Sequence, residues 1–199
     1  MTDAVQLARS VAATGGIRTV VLVEGVSDQV AIETLAGRRG RDLAGEGVAI
    51  VPMGGAMSIA RFLDEFGPAG LDLQLAGLCD VGEERFFRHA VEHAGLADAV
   101  DRERMEALGF FVCVADLEDE LIRSLGAGRV EEVITEQGDL AALRTFQQQP
   151  AQRGRTREQQ FRRFMGVRSG RKAHYSQSLV EGLDLRSAPR PLDLLLARL

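Results

Sequence analysis

The sequence predicts an α/β fold: a mostly parallel four-stranded sheet flanked by helices, with a helical C-terminal extension. Three observations carry this expectation. Four apolar runs alternate with segments of helical periodicity, the signature of a parallel sheet covered on both faces. Three of those runs stop abruptly at an acid, namely Glu24, Asp80 and Asp116. Beyond about residue 127 the strand signals give way to short helical patterns broken by Pro150, Gly154, Gly166, Gly170, Pro189 and Pro191.

In chain order, residues 3–14 form a short amphipathic helix candidate ended by Gly15-Gly16. Thr19 to Val23 is a valine-rich run suited to a strand buried on both faces. It stops at Glu24, turns on Gly25 and enters a helix that Ser27 or Asp28 can cap, with Val30, Ile32 and Leu35 following. That helix ends in the polar run Gly37 to Asp42. Gly47 to Met53 is a second strand, which Gly54-Gly55 turns into a helix with Ile59, Phe62, Leu63 and Phe66 at helical spacing. Leu71 to Cys79 is a third strand before Asp80, and Phe86, Phe87, Ala90, Val91 and Ala94 mark the helix after it. Phe110 to Ala115 is a fourth, followed by Asp116, Glu118, Asp119 and Glu120 and a helix with Leu121, Ile122 and Leu125. The predicted division is an N-terminal helical segment (1–17), an α/β domain (18–126) and a helical, arginine-rich extension packed on it (127–199).

The 199 residues suffice for one full core, and 45% hydrophobic with 27% charged content is ordinary for a soluble globular chain. No run is long enough to span a membrane, and the first residues lack the pattern of a signal peptide. Cys79 and Cys113 lie in separate apolar runs, as buried reduced thiols of a cytoplasmic protein would. With only these two cysteines and the histidines His89, His93 and His174, a zinc site is not expected. The net charge of −5 hides a division: residues 1–140 carry 12 Lys and Arg against 25 Asp and Glu, a balance of −13, whereas residues 141–199 carry 12 against 4, a balance of +8. That asymmetry fits an acidic site in one part and a polyanion-facing surface in the other, or two solvated faces that complement each other.

In a parallel sheet the carboxyl ends of strands point one way, so Glu24, Asp80, Asp116 and Glu118 are expected along one edge, where open α/β sheets place their ligands. Facing carboxylates resist ionisation unless a cation sits among them. Oxygen-only ligands favour Mg²⁺ or Mn²⁺. Any one of these acids could instead be a helix N-cap, but three aligned strand ends are poorly explained that way.

These residues carry a resemblance. Val21-Leu22-Val23-Glu24-Gly25-Val26-Ser27-Asp28, then Val51-Pro52-Met53-Gly54-Gly55, then an apolar strand into Cys79-Asp80, resemble a Toprim domain, the metal-binding fold of topoisomerases, bacterial primases and several nucleases. Over roughly residues 18–185 the chain is most similar to the Toprim half of the overcoming-lysogenization-defect (OLD) nucleases. The resemblance implies that Glu24 and Asp28 are the first two acids of the metal site and that Asp80 is the first aspartate of an Asp-x-Asp pair. It further implies that Asp116 and Glu118 serve a second ion and that Lys172 stabilises the transition state. One position departs from the pattern: Gly82 stands where the second aspartate is expected, and Glu83 or Glu84 is the nearest replacement. OLD nucleases also carry an ABC-type ATPase half. The sequence contains no Gly-x-x-x-x-Gly-Lys-Ser/Thr loop, so a separate ATPase subunit is an expected partner, alongside DNA and a second copy of the chain.

Between residues 153 and 172, Arg153, Arg155, Arg157, Arg162, Arg163, Arg168, Arg171 and Lys172 face only Glu158, a density suited to nucleic-acid phosphates. Phe161 and Phe164 in the same stretch are expected as core anchors. Together these features predict a metal-dependent DNA nuclease with Glu24 and Lys172 as catalytic residues. The competing expectation is a degenerate module that binds DNA or a partner ATPase without cleaving. Strand transfer is disfavoured because Tyr175, the only tyrosine, lies outside any suitable context.

Overall fold

The computed structural model describes residues 16–166 and 170–199, so the helix expected at 3–14 lies outside the described residues. Strands β1 (Thr19–Val23), β2 (Val48–Pro52), β3 (Gln74–Asp80) and β4 (Phe110–Cys113) form one sheet in the order β2-β1-β3-β4. All three pairings are parallel. Helix α1 (Val26–Arg38) follows β1, α2 (Ile59–Phe66) follows β2, and α3 (Glu84–His93) and α4 (Arg102–Leu108) separate β3 from β4. After β4 come α5 (Leu117–Glu136), α6 (Leu140–Gln147), α7 (Arg157–Gly166), α8 (Arg171–Gly182) and α9 (Arg190–Arg198).

Alternate residues of each strand serve opposite layers, as the pleat requires. Val21, Val23, Leu78, Phe111 and Cys113 share a core with α1 and with α5 to α9. Val20, Leu22, Val51, Cys79 and Phe110 pack against α2, α3 and α4. The C-terminal helices thus complete one face of the sheet. Phe161 and Phe164 are fully buried there, as their spacing predicts. Both cysteines are buried and free. No helix among the described residues is long and apolar enough to cross a membrane.

Two differences from the sequence reading have physical causes. Helix α4 has little apolar periodicity to announce it, since only Met105 is buried; it is held by Asp101, whose carboxylate accepts the Arg104 N–H at 2.8 Å, and by left-handed Gly109. Helix α5 is broken at Gly126 (φ 73°, ψ 152°), which redirects the chain toward the C-terminal layer.

The polar run after α1 clamps the distant C-terminus. The Arg38 guanidinium donates to the carbonyls of Val180 (2.6 Å) and Leu183 (2.8 Å), and Arg41 donates to that of Leu196 (2.5 Å). Arg39 bonds the Leu185 carbonyl and pairs with Asp193. Helices α1 and α8 therefore lie side by side, and because Arg38 meets the end of α8, their N-termini share the carboxyl edge of the sheet. Arg38→Ala strands two carbonyls and is expected to cost on the order of 1–3 kcal/mol, read as a lowered urea midpoint. Arg153→Ala, at an exposed arginine, is expected to change stability by no more than about 0.5 kcal/mol.

Candidate active site at the carboxyl edge

The first strand delivers Glu24 to the edge, and its neighbours fix the backbone there. Met53 donates its N–H to the Val23 carbonyl (2.9 Å), and Gly54 and Gly55 donate theirs to the Glu24 carbonyl (3.1 and 3.2 Å). The two glycines have φ of 72° and 128°, conformations a side chain would strain. Gly25 then starts α1, and Asp28, one turn on, accepts the Gly25 N–H at 2.9 Å. Glu24, Asp28 and Asp80 line one cleft of about 300 Å³ with Ser27, Gly54, Gly55 and Lys172.

A second cleft of about 420 Å³ adjoins it, lined by Asp116, Glu118, Arg155, Gln159, Arg162, Arg163 and Lys172. Asp116 caps α5 through the Asp119 N–H (2.8 Å) and pairs with Arg162. Glu118 is 2% exposed and lies 3.0 Å from the Lys172 ammonium. Its other oxygen, Oε1, is buried with no hydrogen-bond partner among the described residues. Glu120 is committed to the fold, accepting the Val114 N–H (2.7 Å) and pairing with Arg123. Lys172 lines both clefts, so the side chains converge from the ends of three strands and from α8.

The electrostatics of the first cleft favour a cation. Burial, reinforced by Glu118 and Glu24, pushes the Asp28 carboxyl up to about 6 despite its bond from Gly25. Burial, then Asp28, Asp116, Glu24 and Glu118, pushes Asp80 up to about 7. Burial also raises Glu118, although Lys172 opposes the shift. Burial works against the charge of Lys172, but Glu118, Asp28 and Asp116 outweigh it and hold the ammonium above the ordinary lysine value. The crowded acids of this cleft fit a hard divalent ion. Among the described residues no three His, Cys, Asp or Glu side chains are grouped closely enough to cage an ion alone. Such a site suits a hard divalent ion that keeps several waters and takes one or two protein carboxylates.

Other expected site residues sit elsewhere. Glu84 pairs with Arg102, and neither Glu83 nor Glu84 lines the clefts. Arg171 is held by Asp139 at 3.1 Å, a carboxylate that also accepts the Tyr175 hydroxyl, and its guanidinium stacks 4.4 Å from the Phe164 ring centre. Arg157 pairs with Glu131. Arg153 lines neither cleft, and Arg168 lies outside the described residues. Of the eight basic residues, Arg155, Arg162, Arg163 and Lys172 thus come together, while Arg157 and Arg171 stabilise the helical layer. His89, His93 and His174 are exposed. Gln159, absent from the sequence reading, reaches the second cleft one turn before Arg163 on α7; a lone polar residue on an arginine-rich helix gives no signal of its own.

Residues 17–81 match the model of the family described as "Overcoming lysogenization defect protein-like, TOPRIM domain". That window includes Glu24, Asp28 and Asp80 and ends before Asp116, Glu118 and Lys172. The fold is similar to the C-terminal region of the Burkholderia pseudomallei OLD protein, with 18% identity, coverage of 91% of this chain and 96% of that one, and a TM-score of 0.71. It is similar also to the C-terminal region of the Xanthomonas campestris pv. campestris OLD protein, with 24% identity, coverage of 91% and 93%, and a TM-score of 0.69. No curated protein matches. The chain therefore has a Toprim fold resembling that part of OLD proteins.

The raised acids make a prediction with a definite sign. In the folded chain Asp28 and Asp80 hold protons up to about pH 6 and 7, whereas unfolded carboxyls lose them near 3.8. Their contribution to stability is therefore fully present below about pH 4 and is lost as pH rises through 6 to 7. Without divalent ions, Asp28→Asn or Asp80→Asn is expected to stabilise the protein at pH 8 by on the order of 1–2 kcal/mol, with little effect at pH 4, measured by urea unfolding.

Proposed function

We propose that this chain is a divalent-metal-dependent nuclease that hydrolyses phosphodiester bonds of DNA, using Mg²⁺ or Mn²⁺ bound through one or two carboxylates and water in the cleft lined by Glu24, Asp28 and Asp80. The observation that carries this reading is the meeting of two clefts at Lys172, one lined by acids and the other by arginines. An acidic cleft alone would suit many metal sites. A cationic cleft beside it suits a substrate whose charge continues past the reacting phosphate, as a polynucleotide's does. The Toprim-type fold, shared with the C-terminal region of OLD proteins, supports the same class of chemistry.

A bound divalent ion supplies Lewis-acid polarisation of the phosphate and activation of water. The chain's own residues do the rest. Glu24 and Asp80 have no cationic partner among the described residues and are free to ligate. Asp28 is oriented by the Gly25 N–H. Lys172 offsets the charge that develops on the phosphate oxygens. Arg155 and Arg163 neutralise neighbouring phosphates, and the N-termini of α1 and α8 add the positive ends of two helix dipoles. Buried reduced thiols accord with the cytoplasm.

Plasmid nicking in Mn²⁺ tests the proposal. Glu24→Ala, Asp80→Asn and Lys172→Ala are each expected to slow cleavage by about 10²-fold or more, and undiminished nicking by the first two contradicts it. Arg163→Ala is expected to weaken DNA binding across sequences and to reduce the salt slope by about one.

Gly82 favours a second reading, a non-cleaving module that binds DNA or a partner ATPase. A side chain is sterically allowed at Gly82, because a Cβ there meets nothing within 4 Å and the backbone is not left-handed. Gly82→Asp is therefore expected to fold normally and to tighten Mn²⁺ binding. Nicking that emerges only in Gly82→Asp would select the second reading for the native chain.

A further inference from the structure

We infer that the chain binds one divalent ion, in the Glu24–Asp28–Asp80 cleft, and that Arg162 and Lys172 hold the Asp116–Glu118 position against a second. This deepens the nuclease reading and rests on it.

The five acids divide by partner. Asp116 spends one oxygen on the Asp119 N–H and the other on Arg162. Glu118 gives one oxygen to Lys172 at 3.0 Å, and its other is buried out of reach unless the side chain moves. Two carboxylates and two protein cations leave no net charge at that position. A second ion would have to break two ion pairs, one of them anchored on a carboxylate only 2% exposed. The two paired cations, with Arg155 and Arg163 in the same cleft, repel an incoming ion.

The other three acids stand differently. Glu24 and Asp80 have no ion pair among the described residues, and the Asp28 carboxylate accepts the Gly25 N–H. Among the described residues no arginine lines their cleft, and Lys172, the one cation there, pairs with Glu118. The uncompensated negative charge lies here. Arg162, fixed on α7 beside Arg155 and Arg163, places a permanent positive charge where a second ion would otherwise sit, and it cannot be lost by deprotonation.

Mn²⁺ titration of the whole chain by calorimetry, with electron paramagnetic resonance to detect coupled ions, tests this. The wild type is expected to bind one Mn²⁺ with no metal–metal coupling. Asp80→Asn is expected to weaken that ion at least about tenfold, and Glu118→Gln to retain it. The double variant Arg162→Gln, Lys172→Gln is expected to admit a second ion. Two ions in the wild type overturn the inference and leave the nuclease reading intact. So does a single ion lost in Glu118→Gln and kept in Asp80→Asn, or a folded double variant that still binds one. No ion at all overturns both. The wild-type stoichiometry and the two single variants decide the matter should the double variant fail to fold.

Discussion

The side-by-side packing of α1 and α8 is the constraint on which the rest of the site depends. The two helices are far apart in sequence, yet Arg38 ties their ends together through the carbonyls of Val180 and Leu183. Their starts then fall side by side at the sheet edge, where α1 carries Asp28 and α8 carries Lys172. Because Lys172 lines both clefts, any loosening of this pair would separate the acids from a cation they share. The C-terminal helices are thus part of the site as much as of the core.

The edge stores electrostatic strain. Asp28 and Asp80 are buried beside other acids and bind protons more tightly than free carboxyls do. Packing of the hydrophobic layers on both faces of the sheet outweighs this cost. An arrangement that destabilises the folded chain at neutral pH is expected where function, rather than stability, selects the residues. The Asp116–Arg162 and Glu118–Lys172 pairs show the contrasting solution, in which the protein neutralises its own acids.

Much of the fold was legible in the sequence because parallel strands leave uninterrupted apolar runs, and those at β1, β2 and β4 stand within a residue or two of their predicted limits. Helix α4 was not legible, since it buries one residue and depends on its caps. Strand β3 starts at Gln74, after a turn in which Asp72 and Leu73 bond back to the residues around Gly67. At the site, Glu24, Asp28, Asp80 and Lys172 could be picked out because acids at strand ends and a late lysine follow the Toprim pattern. What composition could not separate was the arginines. Arg162 and Arg163 are adjacent, and only the helix direction puts both at the cleft, whereas Arg171 is turned inward by Asp139 and Tyr175. The clamp formed by Arg38, Arg39 and Arg41 was equally hidden, because the carbonyls it serves lie some 140 residues or more downstream.

The central claim is that the uncompensated acids at the ends of β1 and β3 form the cation centre. Anomalous scattering from crystals of the chain soaked in Mn²⁺ tests it most directly. The account predicts a manganese peak in the cleft lined by Glu24, Asp28 and Asp80, with Arg162 still on Asp116. A peak confined to Asp116 and Glu118, or none at the strand ends, would contradict it.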